Sequence, residues 1–277
     1  MDHQYTIEPW VADPVGSRAA LTRKSEAVVD AFGDGIDIAY GDLPRRKLDI
    51  AVPDTVPAPA LIFIHGGYWQ GSSKEDRRFP APAFQALGAA FVTVEYRLAP
   101  AVSVDQIMDD VRTAIAWLHA HGAEHGIDTD RMHVAGNSAG GHLTAAVLAD
   151  GWQDAYGVPR DVLKGGCAVS GIFDLTPLLK TGQRDNLHLT EDSVAAISPI
   201  NQLPAAETPL IVSWGGRESD EFKRQSHEYI AACRAKGIAI ETVDRPDDDH
   251  FTIMGEFGEP SSNLFQAIAR QMGLIGG

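Results

Sequence analysis

The stretch MHVAGNSAGGHLTAAVL, residues 132–148, decides the fold. Its first part, Met132 to Gly136, is a short apolar run of β-strand type, and from Leu143 onward the pattern is helical. Between them, Gly136-Asn137-Ser138-Ala139-Gly140 places a serine between two glycines at a strand-to-helix junction. So sharp a turn needs residues without bulky Cβ groups on both sides, because its central backbone is strained and the strand and helix approach closely. The Ser138 hydroxyl is then aimed outward at a helix N-terminus, as a nucleophile must be. With 27 glycines in 277 residues, two glycines flank a given serine by chance about once in a hundred. The five letters alone could therefore mark a glycine-rich packing turn with an incidental serine. The strand before them and the helix after them favour the nucleophile.

Working outward, similar apolar runs rich in β-branched residues occur at Lys47 to Val52, Leu61 to His65, Phe91 to Glu95, Gly166 to Gly171, Leu210 to Trp214 and Ile240 to Val243. Longer segments of helical period separate them. Val104, Ile107, Met108, Val111, Ile115 and Leu118 recur at three and four residues, after Ser103 as N-cap and before Gly122. Phe222, Tyr229, Ile230 and Cys233 predict another helix that stops at Gly237, and Asn263 to Met272 predicts a last one. The alternation predicts an α/β fold with a mostly parallel sheet and helices on both faces. A chain of this length suits one domain, 1–277, around a single large sheet. The stretch 174–209, broken by Pro177, Pro199 and Pro204, is too long for an ordinary connection and reads as a lid-like insertion.

Composition narrows the partners. Twenty-three Lys and Arg against 38 Asp and Glu leave a formal charge of −15, which argues against nucleic acid or an anionic membrane as the principal partner. The N-terminus MDHQYTIEPW has no basic stretch or apolar run, and no later segment is long enough to span a bilayer, so a cytoplasmic protein is expected. Cys167 and Cys233 lie in a strand-like and a helix-like segment and read as core thiols. Acidic surfaces and sheet edges are compatible with a homodimer.

A second chemical element is His65-Gly66-Gly67-Tyr68-Trp69, directly after the strand Leu61-Ile62-Phe63-Ile64. Its glycines let backbone N–H groups turn inward, where the Gly67 and Tyr68 amides could join that of Ala139 around a developing oxyanion.

Together these elements resemble the kynurenine formamidase (arylformamidase) branch of the α/β-hydrolases, which is close to the hormone-sensitive-lipase-type esterases. The resemblance is carried by HGGYW at 65–69, EYRLAP at 95–100, GNSAGGHL at 136–143, and GGRESDEFKRQS at 215–226 with DDDHF at 247–251. It spans the chain from Leu48 onward. This chain has Asn137 where the family often has His. The resemblance implies the order serine, acid, histidine, which the fold also requires.

His250 follows the strand at 240–243 and a turn containing Pro246, where a loop at the C-terminal edge of the sheet could bring its imidazole to Ser138. Glu218 and Asp220 both follow the strand ending at Trp214, and either could reach that ring. The resemblance favours Glu218, standing where relatives carry Asp, while Asp220 suits capping of the next helix. Asp247, Asp248 and Asp249 read as a solvated turn. His119, His121 and His125 lie at a helix C-terminus and face different ways, which argues against a metal cluster. His65 and His142 are expected to support loop and helix geometry, and His133 to lie in a strand.

The expected chemistry is acyl transfer to Ser138, with His250 as base and Glu218 orienting it, needing neither metal nor organic cofactor. Tyr68, Trp69 and the insertion are expected to form the substrate walls, and aromatic walls favour a flat ligand. The resemblance implies an aryl formamide such as N-formylkynurenine, an intermediate of tryptophan catabolism. A short-chain carboxylic ester passes through the same oxyanion. A non-catalytic ligand-binding protein on this scaffold is the alternative of another class.

Overall fold

The computed structural model describes residues 1–276. Eight strands form one sheet: β1 Ile38–Ala39, β2 Lys47–Ala51, β3 Ala58–Ile64, β4 Ala90–Val94, β5 Ile127–Asn137, β6 Gly166–Val169, β7 Leu210–Gly215 and β8 Ile240–Arg245. Their order is β1-β2-β4-β3-β5-β6-β7-β8. The pairs β1–β2 and β2–β4 are antiparallel and every other neighbour is parallel. Helices, in chain order, are α1 Asp2–Tyr5, α2 Pro14–Glu26, α3 Ala81–Gln85, α4 Val104–His121, α5 Ala139–Leu148, α6 Gln183–Asn186, α7 Glu191–Ile197, α8 Asp220–Ala235, α9 Thr252–Gly255 and α10 Asn263–Gln271.

The seven expected strands are present. β3 starts at Ala58, ahead of its apolar run, and its register with β5 shifts between Ala58 and Ala60, where Pro59 has no N–H to give the ladder. β5 starts at Ile127, because Asp128 to Arg131 continue the extended chain although they carry no apolar signal. β1, two residues long, has no sequence pattern at all.

Two apolar layers flank the sheet. One packs α4, α5 and α8 against it through Val111, Ile115, Leu118, Leu143 and Tyr229. The other holds Phe84 of α3 and Leu264, Phe265 and Ile268 of α10 against Leu61, Phe63 and Phe91. Cys167 and Cys233 are free and buried. No helix among the described residues is long and apolar enough to cross a membrane.

The centre of the sheet is where helix and strand come closest. A Cβ at Gly140 would lie 2.1 Å from the Ile64 carbonyl oxygen, so only glycine lets α5 descend onto the ends of β3 and β5. The stretch 174–209 contributes α6, α7 and short 3₁₀ turns. Most of it packs laterally: α7 lies against α4, and the Ile197 carbonyl accepts from His142 Nε2 at 2.7 Å.

Candidate active site

Ser138 stands between β5 and α5 with φ 59° and ψ −124°. A non-glycine residue there is strained by about 1–3 kcal/mol, and the surroundings hold it: Ser138 N–H donates to the Val169 carbonyl at 2.9 Å, and its own carbonyl accepts from His142 N–H at 3.0 Å. The side chain lines a cleft of about 570 Å³.

The loop after β3 presses on this turn. A Cβ at Gly66 would lie 2.7 Å from the Asn137 carbonyl and 3.1 Å from Ser138 Cβ. Gly67, Tyr68 and Trp69 follow with φ of 104°, 55° and 56°, a run of left-handed residues that turns the Gly67 and Tyr68 amides away from regular pairing. Neither amide donates to an acceptor among the described residues, and both residues line the cleft. The Ala139 N–H opens α5 and has no intrahelical acceptor.

This strained loop is braced by Glu95 and Tyr96. Tyr96 stacks on His65 with ring centroids 4.1 Å apart and donates its hydroxyl to the His65 carbonyl at 2.7 Å. Glu95 Oε1 lies 3.0 Å from His65 Nε2 and accepts from Arg45 at 2.5 Å. The supporting role expected of His65 thus has a physical basis. His142 also supports: its ring lies between Trp69 Nε1, at 3.3 Å, and the Ile197 carbonyl, and burial pushes its pKa down to about 4.

His250 and Glu218 meet at the C-terminal edge of β7 and β8. His250 Nδ1 lies 2.8 Å from Glu218 Oε1. A carboxylate oxygen can only accept, so Nδ1 carries the proton and, in the neutral ring, Nε2 is left as the basic nitrogen. That Nε2 is buried without a partner among the described residues, and His250 lines the same cleft as Ser138. Phe222 sets its ring edge-on to the imidazole at 4.9 Å. Glu218 is buried. Asp220 is not part of this group: its side chain is 85% exposed and pairs with Lys223. Nor does it cap α8; Ser219 does, accepting from Phe222 N–H.

The aspartate run differs from the solvated turn expected of it. Asp247 is exposed, but Asp248 and Asp249 are buried. Asp248 accepts from Arg245 at 2.6 Å and from Thr252 Oγ1 at 2.8 Å, and Asp249 Oδ1 accepts from the Phe251 and Thr252 amides. Asp249 thus saturates the backbone just after His250, Asp248 ties the Arg245 and Thr252 side chains together across it, and the two fix its direction.

The walls also differ from expectation. Tyr68 lines the cleft, but Trp69 is fully buried beneath the loop and forms no wall; its left-handed backbone turns the indole inward. Of the insertion, Gln183 lines the cleft. The larger cover comes from the N-terminus, with Tyr5, Thr6, Ile7, Glu8, Arg18 and Thr22. Tyr5 anchors it: its hydroxyl donates to Glu221 at 2.8 Å and accepts from Gln225 at 3.0 Å, while its carbonyl accepts from Tyr68 at 2.9 Å.

Comparison with known proteins places the chain among its relatives. Residues 48–157 match the BD-FAE family model. The kynurenine formamidase of Salmo salar is 31% identical over 251 residues, covering 86% of this chain and 82% of that protein. The esterase LipC of Mycobacterium tuberculosis is 39% identical over 220 residues, covering 72% of this chain and 54% of that protein. A crystal structure of a thioesterase candidate from Silicibacter sp. TM1040 is 24% identical and superposes with a TM-score of 0.84, over 97% of this chain and 98% of that one. With its mostly parallel eight-stranded sheet and this relationship along most of its length, the chain belongs to the kynurenine formamidase family of the α/β-hydrolases.

Proposed function

We propose that the protein is a serine hydrolase that cleaves an aryl formamide of the N-formylkynurenine type. One observation carries the reading: the 2.8 Å bond from His250 Nδ1 to Glu218, which leaves an unpartnered Nε2 in the cleft that Ser138 lines.

Ser138 Oγ attacks the formyl carbon while His250 Nε2 takes its proton, and Glu218 holds the tautomer and balances the imidazolium. The carbonyl oxygen becomes an oxyanion within reach of the Gly67, Tyr68 and Ala139 amides, each worth about 3–4 kcal/mol of barrier. The imidazolium then protonates the leaving aryl amine, and water, deprotonated by the same ring, releases formate from the acyl-enzyme. Tyr68, Phe251 and Met254 offer apolar surface to the aryl group.

A short-chain ester would follow the same steps, and the kinship with LipC favours it as the second reading. Comparing kcat/KM for N-formylkynurenine, other aryl amides and p-nitrophenyl esters tests the choice; a preference for long acyl esters refutes the formamidase reading. Ser138→Ala should lower turnover about 10⁶-fold and abolish labelling by a fluorophosphonate. Wild-type turnover in that variant refutes the serine mechanism.

A further inference from the structure

Four charged residues line the cleft: Glu8, Arg18, Asp76 and Arg77. Glu8 and Arg18 satisfy each other at 2.8 Å with side chains more than half exposed. Asp76 and Arg77 are not so matched. Arg77 forms no ion pair among the described residues; its one hydrogen bond runs from Nη1 to the Asp76 carbonyl at 2.9 Å, and its Nε is buried without a partner. The Asp76 carboxylate accepts from two hydroxyls, Thr22 Oγ1 at 3.1 Å and Ser72 Oγ at 3.0 Å, and meets no cation at ion-pair distance among the described residues.

The local backbone explains why these neighbours do not neutralise each other. Both sit on the 3₁₀ turn Lys74–Arg77, where three residues per turn send consecutive side chains about 120° apart. The same turn shows what pairing looks like. Lys74 Nζ reaches the buried Asp49 at 2.8 Å, and Arg78 grips it with Nε at 2.9 Å and Nη2 at 2.6 Å. Those two cations fasten the turn to the sheet, Glu75 pairs with Lys74 at 2.8 Å, and Asp76 and Arg77 are left at the cleft wall. A guanidinium with a buried, unpaired N–H is costly until an acceptor arrives, and burial already weighs against its charged form.

We propose that Arg77 and Asp76 bind an α-amino-acid head group, Arg77 taking the carboxylate and Asp76 the ammonium, with the scissile acyl group at Ser138. This rests on the formamidase reading and adds which end of the substrate is recognised and by which residues. The guanidinium fork matches a carboxylate with two parallel hydrogen bonds. Asp76, its position fixed by Thr22 and Ser72, offers its free acceptor capacity to the ammonium. Tyr68, Phe251 and Met254 are left for the ring between the two ends.

The test compares kcat/KM for N-formylkynurenine, which carries the head group, with that for formanilide, which lacks it. Arg77→Gln should lower the ratio of the two by about 10- to 100-fold, chiefly through KM, and Asp76→Asn should lower it by about tenfold. An unchanged ratio, or equal losses on both substrates, overturns the proposal. Binding gives a readout free of turnover: in Ser138→Ala protein, kynurenine should bind more tightly than ortho-aminoacetophenone by titration calorimetry, and adding Arg77→Gln should remove that preference. A protein that cleaves neither formamide yet binds kynurenine through Arg77 refutes the formamidase reading and supports the head-group site. Kynurenine binding indifferent to Arg77 overturns the head-group site whatever the turnover.

Discussion

Replacing Glu218 by Gln removes one charge and leaves the side chain's size unchanged, so its effect isolates what that charge does. Glu218 Oε1 lies 2.8 Å from His250 Nδ1, and both groups are buried. When the ring takes a proton from Ser138, its centre of charge stands about 4 Å from the carboxylate, and an effective dielectric constant of about 20 makes the attraction about 4 kcal/mol. Losing it should slow turnover by about 10³-fold. The amide can also turn its NH₂ toward Nδ1, which favours the tautomer protonated on Nε2 and carries the loss toward about 10⁴. KM should stay within a few-fold, because Glu218 is not among the residues lining the cleft. Steady-state hydrolysis of p-nitrophenyl acetate at neutral pH measures this, with thermal unfolding to verify the fold. Asp220→Asn is the companion variant: an exposed carboxylate paired only with Lys223 should matter little, and kcat should stay within about twofold. Wild-type turnover by Glu218→Gln, or a large loss in Asp220→Asn, would refute the reasoning.

Two further outcomes concern stability. The left-handed backbone at Ser138 suits glycine, so Ser138→Gly should be more stable than Ser138→Ala by about 1–2 kcal/mol although both are inactive; equal urea midpoints would show that no strain is held there. Burial pushes the pKa of His133 and of His142 from 6.5 down to about 4. The unfolded chain therefore takes up these protons first, so the stabilisation is complete above pH 6.5 and is lost as pH falls toward 4. Unfolding in urea at pH 5 should show about 2 kcal/mol less stability per ring than at pH 7.5, and His133→Gln should remove one share; a flat profile over that window counts against both rings.

The parts of the site that could be read from the sequence are those whose requirements are local. Gly136 to Gly140 and His65 to Gly67 must bend in particular ways, and the residue types that permit this show it directly. The choice between Glu218 and Asp220 was not local. It depends on how Gly215 and Gly216 pass the Asp248 and Pro246 backbone and on Ser219 taking the cap. The direction of Trp69 is not legible because an aromatic beside a glycine-rich loop can face either way, and left-handed residues turn this one inward. Asp248 and Asp249 read as solvated because their partners, the Arg245 and Thr252 side chains and two backbone amides, are groups that sequence does not distinguish from water. The N-terminal cover left no signal, since Tyr5 finds its partners Glu221 and Gln225 more than 200 residues along the chain.

That cover has a consequence for how selectivity can change over time. Ser138, His250 and Glu218 lie at the ends of sheet strands, whereas Tyr5 to Thr22 reach the cleft from a segment that belongs to no strand. Drift in those residues can reshape the cleft while the strands that carry Ser138, Glu218 and His250 are left alone. Descendants of one ancestor could thus inherit the same scaffold and part company over substrates, with the segment from Tyr5 to Thr22 as the place where they diverge.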